Sequence, residues 1–356
     1  MDTRDTPEQA ELRRSARQLA RELGPATVAD LEDATRAKRL AAAVRDAGWL
    51  ELRHDGGDGA PLASGVEAAI VADALGAAVA DVAHTGPLLA ADLARRAGVT
   101  PAEDAVVLFD PSLLEPATGA GVAVDLDAES TDAAYVLVPG EGGQRLALAD
   151  LSKSQNGRSK QSQTERSEEL GEVGGGVDLT RAVRAIPAGA PVEELSGVLS
   201  RDDLVRWTAL GLALTSADLV GVMRGVLDVT VAYAAERKQF GVSVGSFQAV
   251  QHLLADAHCL MEGSFSVAQH AAWAADELPP DNAVAAGRVA KAYCARAART
   301  VCETAIQVHG GIGNTWDCMA HVYLRRALLS SEWFGDDGEQ LHQLQRTRLG
   351  VTDGLS

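Results

Sequence analysis

Apolar residues recur every three or four positions in the first part of the chain, and this spacing predicts helices. Thr6 and Pro7 suit the start of a helix, and Leu12 begins a run of apolar positions behind them. The Gly- and Asp-rich segment 56–61 interrupts the pattern and predicts a loop. We therefore expect residues 1–103 to form an N-terminal helical domain.

The pattern changes near residue 104 to short β-branched runs with turn residues between them. These runs predict strands at 106–109, 121–124, 135–138 and 146–148. The stretch 152–176 is rich in Ser, Gln, Glu and Gly and nearly devoid of apolar residues, which is typical of a mobile loop. We expect residues 104–195 to form a reduced β domain that contains this loop.

Helical spacing returns from Ser200 onward. Ser200 and Asp203 resemble a capping box, with Asp in place of the usual Glu or Gln. Long helices are predicted at about 201–237, 246–276, 282–308 and 317–331. Short connections between long helices are typical of an antiparallel bundle. The predicted fold is thus mainly α with a small central β domain, and residues 196–356 form a C-terminal four-helix bundle.

Composition and charge narrow the function. The formal net charge of −18 argues against nucleic acid or an anionic membrane as the main partner. The four cysteines form no C-x-x-C pair, so neither a metal site nor a disulfide framework is indicated. The sequence contains no run of about 18 apolar residues and no apolar signal core near its start, so we expect a cytoplasmic protein without a membrane span.

The first informative motif is ERKQFG at 236–241, followed by Gly245, Phe247 and Gln248. Arg237 stands at the predicted C-terminal end of a long helix, where a cation offsets the helix dipole and can also hold a phosphate. From the residues alone, a helix end with a capping arginine is the simpler interpretation. Phosphate binding is the alternative.

Two more motifs lie further along the chain. QVHGGIG at 307–313 has three glycines in four positions, which would let a pyrophosphate approach the backbone closely, although a helix C-cap and tight turn explain it more simply. A helix precedes it, so it is not the nucleotide fingerprint of a βαβ unit. In HVYLRRA at 321–327, Arg325 and Arg326 point to different helix faces. One is expected to be solvated and the other to pair with a carboxylate or an anion.

Together these motifs resemble the acyl-CoA dehydrogenase family. The first matches its pattern E-R-x-x-F-G-x-x-[IL]-x-x-F-Q, with Val244 at the [IL] place, and the second matches Q-x-x-G-G-x-G. Segments 48–50, 66–69 and 72–76 agree more weakly. The resemblance covers most of the chain except its middle.

The resemblance implies an FAD-dependent oxidation of a saturated acyl-CoA to the 2-enoyl-CoA. A glutamate removes the α proton, the β hydrogen leaves as hydride to the flavin, and an electron-transfer flavoprotein accepts the electrons. In this family the two C-terminal motifs contact the ADP half of an FAD held by the neighbouring subunit. Carried over by position, the cofactor-binding residues would be Arg237, Phe240, Gln248, Gln307, Gly310 and Gly311.

The chain departs from the family at the catalytic base. The family places its glutamate at one of two positions, which Gly211 and Phe334 occupy here. Neither residue can accept a proton, so the catalytic residue stays unassigned. We expect the nearby carboxylates to be solvated or capping acids: Asp218, Asp317, Glu332, Asp336 and Asp337.

The middle of the chain departs as well. Where the family carries a flavin loop similar to T-E-P-x-A-G-S-D, this chain has EPATGAG at 115–121 without the final acid. The leading hypothesis is a degenerate subunit of a hetero-oligomeric acyl-CoA dehydrogenase. It would supply the ADP-binding half of each shared FAD site, while a homologous partner supplies the base and the flavin loop. The alternatives are a self-sufficient homo-oligomer with a relocated carboxylate base and a flavin-free helical scaffold or acyl-CoA-binding protein.

Overall fold

Helices occupy the first part of the chain, as the spacing of its apolar residues predicts. The computed structural model describes residues 4–140, 143–151, 176–186 and 191–349. The first four helices are α1 (Pro7–Leu23), α2 (Ala34–Asp46), α3 (Gly65–Ala77) and α4 (Thr85–Arg96). The Thr6 hydroxyl accepts a hydrogen bond from the Gln9 amide at 3.2 Å, so α1 has the N-terminal cap that its sequence predicts.

A mixed sheet of six strands follows, in the order β5-β2-β1-β3-β4-β6. β1 and β3 are parallel, and the other neighbouring pairs are antiparallel. The strands are β1 (Val106–Phe109), β2 (Gly121–Leu126), β3 (Ala133–Gly140), β4 (Gly143–Asp150), β5 (Ala182–Ile186) and β6 (Val192–Leu199). The four predicted strands are confirmed as β1 to β4.

The sequence pattern does not predict β5 and β6, which form the two edges of the sheet. β5 has only five residues, and β6 is mostly exposed and carries Glu193 and Glu194. An edge strand pairs on one side only and need not be apolar, so its sequence signal is weak. The predicted mobile loop at 152–176 falls almost wholly on 152–175, which lie outside the described residues.

The C-terminal helices form the predicted bundle. They are α5 (Arg201–Glu236), α6 (Gln248–Glu277), α7 (Pro280–His309) and α8 (Ala320–Glu332), and a fifth helix, α9 (Asp337–Arg348), packs against α7. The pattern misses α9 because only Gln340 is buried in it, so it has almost no apolar face. Asp336 caps its first turn by accepting a hydrogen bond from the Glu339 amide at 2.8 Å.

The central element is α5, which contacts α3, α6, α7 and α8. It comes very close to α3, since a Cβ at Gly221 would lie 2.1 Å from the carbonyl oxygen of Asp73. Among the described residues α5 is the one helix long and apolar enough to cross a membrane, yet 94% of its apolar window is buried inside the protein.

The largest apolar core contains residues from all three predicted domains. Leu89 of α4, Phe109 of β1 and Trp207 of α5 belong to the same buried cluster. The helical, β and bundle regions are therefore packed on one another, and the boundaries 1–103, 104–195 and 196–356 stay a prediction.

Candidate functional site

The ERKQFG motif forms a tight turn at the end of α5. Arg237 is the residue that ends the helix, and its amide donates to the Tyr233 carbonyl at 2.8 Å. The chain then forms a two-stranded hairpin of β7 (Lys238–Gln239) and β8 (Val242–Ser243), with Phe240 at its tip. Phe240 has a left-handed backbone, φ 54°, which is uncommon for a bulky residue and is associated with functional sites.

The glycine motif lies at the same end of the bundle. α7 ends at His309, and Gly310 turns the chain with φ 67°. The His309 ring stacks on Tyr233 with centroids 4.3 Å apart, and the Tyr233 hydroxyl donates to the His309 carbonyl at 3.3 Å. This contact joins the last turn of α5 to the last turn of α7, so the structure brings the two motifs together. The motif patterns do not predict Tyr233 as the link.

All six predicted cofactor-binding residues are exposed: Arg237, Phe240, Gln248, Gln307, Gly310 and Gly311. Phe240 is 95% exposed, and the nearby side chains of Phe247, Ile312 and Trp316 are also exposed. A Cβ at Gly310 or Gly311 would meet no atom within 4 Å, so the backbone there is open to close approach. A guanidinium, two amides and open glycine backbone suit the phosphates and base of an ADP group. This surface therefore fits the ADP half of FAD.

The two positions where the family places its base face each other directly. A Cβ at Gly211 would lie 2.1 Å from Cζ of Phe334 and 2.5 Å from its Cε2. The Phe334 ring thus occupies the space that any side chain at position 211 would need. Phe334 is 2% exposed and has a left-handed backbone, φ 67°, which places its ring against α5.

Phe334 belongs to an aromatic cluster, which we define as Phe109, Trp207, Trp333 and Phe334. The Phe334 ring lies 5.1 Å from Phe109 and 5.3 Å from Trp207, measured between centroids, and both contacts are within the range of favourable aromatic pairs. All four rings are at most 2% exposed. The region around position 211 is therefore filled by the chain's own side chains.

Backbone contacts hold Phe334 in this position. Its amide donates to the Leu113 carbonyl at 2.8 Å, and its carbonyl accepts from Nε2 of Gln340 at 2.5 Å. The Lys291 ammonium group donates to the Trp333 carbonyl at 2.7 Å and also to the Ser330 carbonyl. Lys291 is fully buried, and burial lowers its pKa to about 7.

The loop expected to resemble the flavin loop packs against the segment around Phe334. The Asp110 carboxylate accepts hydrogen bonds from the amides of Leu114 and Glu115 and so folds the loop back on β1. Leu114 lies under Gly335, where a Cβ would be 2.6 Å from its Cδ2. The start of the EPATGAG segment is thereby tied to the residues that position Phe334.

The expectation that Asp218 is a solvated or capping acid is wrong. Asp218 is 1% exposed and pairs with Arg326 at 2.7 Å and Arg181 at 3.0 Å, and it accepts from the Ser330 hydroxyl at 2.7 Å. Although burial alone would raise it, the two guanidinium groups lower the pKa of Asp218 to about 2. A carboxylate so weakly basic and fully paired is poorly suited to remove a proton.

Asp218 is part of an ionic cluster, which we define as Asp125, Arg181, Asp218, Arg326 and Ser330. It joins β2, the segment before β5, α5 and α8. Arg326 is thus the buried member of the Arg325–Arg326 pair, whereas Arg325 lies over the exposed Trp316 ring. Arg181 also lies over the Trp333 ring at 5.7 Å, which connects the ionic and aromatic clusters.

The other four carboxylates agree better with the expectation. Asp336 caps α9, Asp337 begins that helix, and Asp317 and Glu332 are exposed. The motif patterns do not point to Lys291 or Arg181, although the single lysine within the Ala-rich sequence of α7 is a signal for the first of them.

Comparison with known proteins supports the family resemblance. The family model described as "Acyl-CoA dehydrogenase, C-terminal domain" matches residues 210–349. Acyl-CoA dehydrogenase FadE34 of Mycobacterium tuberculosis is 38% identical over 177 residues, which are 47% of this chain and 24% of that protein. The chain therefore spans only about a quarter of this relative's length.

Solved structures match nearly the whole chain in fold. The ChsE4–ChsE5 complex from Mycobacterium tuberculosis gives a TM-score of 0.76 at 23% identity and covers 99% of this chain and 100% of the matched one. A variant of the Tcur3481–Tcur3483 steroid ACAD gives 0.78 at 22% identity and covers 96% and 98%. The predicted fold class is confirmed, and residues 210–349 match the family recognised from the sequence.

Proposed function

We propose that this chain, which carries the C-terminal domain and the fold of the acyl-CoA dehydrogenases, is a subunit that supplies one half of a shared FAD site and no catalytic base. One observation carries the proposal: the ring of Phe334 lies directly on Gly211, so neither position where the family places its base carries an acid, and position 211 has no space for one. The chain would act with a homologous partner that supplies the base and the flavin loop.

The family's reaction requires a base beside the α carbon of an acyl-CoA. Bound FAD would supply the acceptor for the β hydrogen, and an electron-transfer flavoprotein would take up the electrons. A carboxylate must come within hydrogen-bond reach of the α proton to remove it. Here the aromatic cluster fills the region around position 211, and Asp218 is held by Arg326 and Arg181. This arrangement favours a non-catalytic subunit over a self-sufficient enzyme with a relocated base.

The C-terminal end of α5 carries residues suited to the other part of the proposal, which is ADP binding. Arg237 would bind a phosphate oxygen of the cofactor, and Gly310 and Gly311 would let its ADP group approach the backbone. These groups face outward from a single chain, and an ADP group lying on them would remain open on its far side. A second subunit is needed to cover it. Two of the matched structures carry paired protein names, which supports a hetero-oligomer.

The test is co-expression with a full-length homologue encoded by a neighbouring gene. FAD quantification and a dye-reduction assay with a panel of acyl-CoA substrates follow. We expect the purified single chain to show little or no acyl-CoA oxidation, because loss of a general base costs about 10²–10⁴ in rate. The assembled pair should bind FAD and turn over. Turnover by the partner-free chain at about 1 s⁻¹ or faster, the lower end of ordinary enzymes, would contradict the proposal, and Asp336 and Glu332 would then be mutated first.

A further inference from the structure

An open cleft lies near the start of α5, far from the ERKQFG and QVHGGIG motifs. Its volume is about 350 Å³, and its lining includes Leu62, Ser64, Arg95, Arg96, Arg206 and Asp276. Arg206 and Arg237 are roughly thirty positions apart on one helix, which is about 45 Å at the helical rise of about 1.5 Å per residue. A ligand in this cleft therefore occupies a different site from the proposed FAD surface.

The cleft carries an excess of positive charge. Asp276 is held by Arg53, whose two terminal nitrogens each donate to a carboxylate oxygen at 2.9 Å. The second carboxylate, Asp92, is buried and accepts from Arg53, from Arg95 at 2.7 Å and from Arg96 at 2.6 Å. Among the residues that line the cleft, three carry a guanidinium group, Arg95, Arg96 and Arg206, and one carries a carboxylate, Asp276. The excess is notable because the whole chain has a net charge of −18.

Several donors at the cleft have no partner among the described residues. The Arg96 side chain is only 8% exposed and bonds through Nε alone, which leaves both of its terminal nitrogens free. Arg206 donates only from Nη1, to the Leu278 carbonyl at 3.1 Å. The Nε of Arg95 is buried without a partner. Arg96 and Arg206 line the cleft and keep terminal donors that no described group accepts from, so these donors are available to an anionic ligand.

We propose that this cleft binds a phosphate monoester dianion, a function beyond the one proposed above. A phosphate group carries about two negative charges near neutral pH and three acceptor oxygens, which match the charge excess and the free donors of Arg96 and Arg206. Guanidinium forks bind phosphate with two parallel hydrogen bonds. Leu62, which is 58% exposed at the cleft, offers an apolar surface to the organic part of such a ligand.

Inorganic phosphate is the first probe, added to the purified protein in calorimetric titration and thermal unfolding, with sodium chloride and acetate at matched ionic strength as references. We expect saturable phosphate binding that neither reference reproduces. Arg206→Gln should weaken it by about tenfold or more, since a charged hydrogen bond is lost. Arg299→Gln is the matched control, because Arg299 lies exposed on α7 and, within the described part of the chain, pairs only with Glu303. Unchanged binding by folded Arg206→Gln, or equal binding of acetate, would overturn the proposal.

Arg96 needs a gentler change because it also pairs with the buried Asp92. Arg96→Lys keeps the charge but not the guanidinium fork, and we expect weaker phosphate binding with an unchanged circular dichroism spectrum. Unchanged phosphate affinity in folded Arg96→Lys would likewise refute the site.

Adenosine 3′-phosphate distinguishes a phosphorylated nucleotide from free phosphate as the ligand, with adenosine as the control that lacks the phosphate. Binding of the nucleotide more tightly than inorganic phosphate, lost in Arg206→Gln, would identify a phosphorylated nucleotide, and equal affinity would identify free phosphate.

Discussion

Replacing Gly211 by alanine would place a methyl group where the Phe334 ring now lies. The new Cβ would be 2.1 Å from Cζ of that ring. The ring would have to retreat by more than about 1 Å to restore ordinary carbon contact at roughly 3.5 Å. Its neighbours Phe109, Trp207 and Trp333 are fully buried, so it has little room to do so.

Two opposing effects set the change in the free energy of unfolding that Gly211→Ala causes. Overpacking a well-packed core costs about 1–3 kcal/mol, whereas alanine in place of glycine inside a helix contributes about 0.8–1 kcal/mol. We expect Gly211→Ala to lower the free energy of unfolding by up to about 2 kcal/mol. In a Phe334→Ala background the ring is absent, and the same substitution should raise the free energy of unfolding by up to about 1 kcal/mol.

The assay is urea denaturation of the four proteins of this double-mutant cycle, followed by circular dichroism. The expected coupling between positions 211 and 334 is about 1–3 kcal/mol, equal to the overpacking cost. Phe334→Ala alone should be strongly destabilising, by about 3–5 kcal/mol. If Gly211→Ala has the same effect in both backgrounds, the ring does not occupy the space beside position 211, and the argument for a filled base site fails.

Three further predictions concern charged residues. Arg237→Ala should weaken FAD binding by the assembled protein by about ten- to a hundredfold, because a charged hydrogen bond to phosphate is lost; Arg299→Ala is the control, and unchanged FAD affinity would remove Arg237 from the site. Asp218 has a folded-state pKa of about 2, below its ordinary value of 3.8, so its contribution to stability should be lost as the pH falls from about 5 to 2; Asp218→Asn should flatten that part of the urea-midpoint profile, and an unchanged acid slope would contradict the assignment. Lys291 has a folded-state pKa of about 7, below its ordinary 10.5, so the unfolded chain binds more protons between these values and stability should rise with pH from about 7 to 10; Lys291→Met should lose that rise, and identical slopes for the two proteins would refute it.

The helical parts of the fold are readable from the sequence because their signals are local. Ser200 and Asp203 form the predicted capping box at the start of α5, and four strands appear where β-branched runs predict them. The edge strand β6 and the polar helix α9 are missed because each buries few side chains. Their positions depend on neighbours that are distant in sequence.

The site is readable in parts but not in its geometry. The motif patterns single out Arg237 and Gly310. Counting back from Arg237 gives Gly211 as one family base position, and Phe334, just before Gly335, stands at the other. The contact between Gly211 and Phe334 joins residues more than a hundred positions apart, so no local pattern reveals it. The same is true of Asp218, whose partners Arg181 and Arg326 come from elements on either side of it in the sequence.

The base position at Gly211 and the proposed cofactor residue Arg237 lie far enough apart on α5 for a change at one to leave the other intact. Gly211 and Arg237 lie roughly 26 positions apart on one continuous helix, which is about 40 Å. The Phe334 ring packs near one end, and the Tyr233–His309 stack joins the ERKQFG and QVHGGIG motifs at the other. Loss of an acid at position 211 therefore need not disturb the groups proposed to bind ADP. This separation explains in physical terms how the proposed subunit would keep a cofactor surface for its partner while the Phe334 ring fills the space beside position 211.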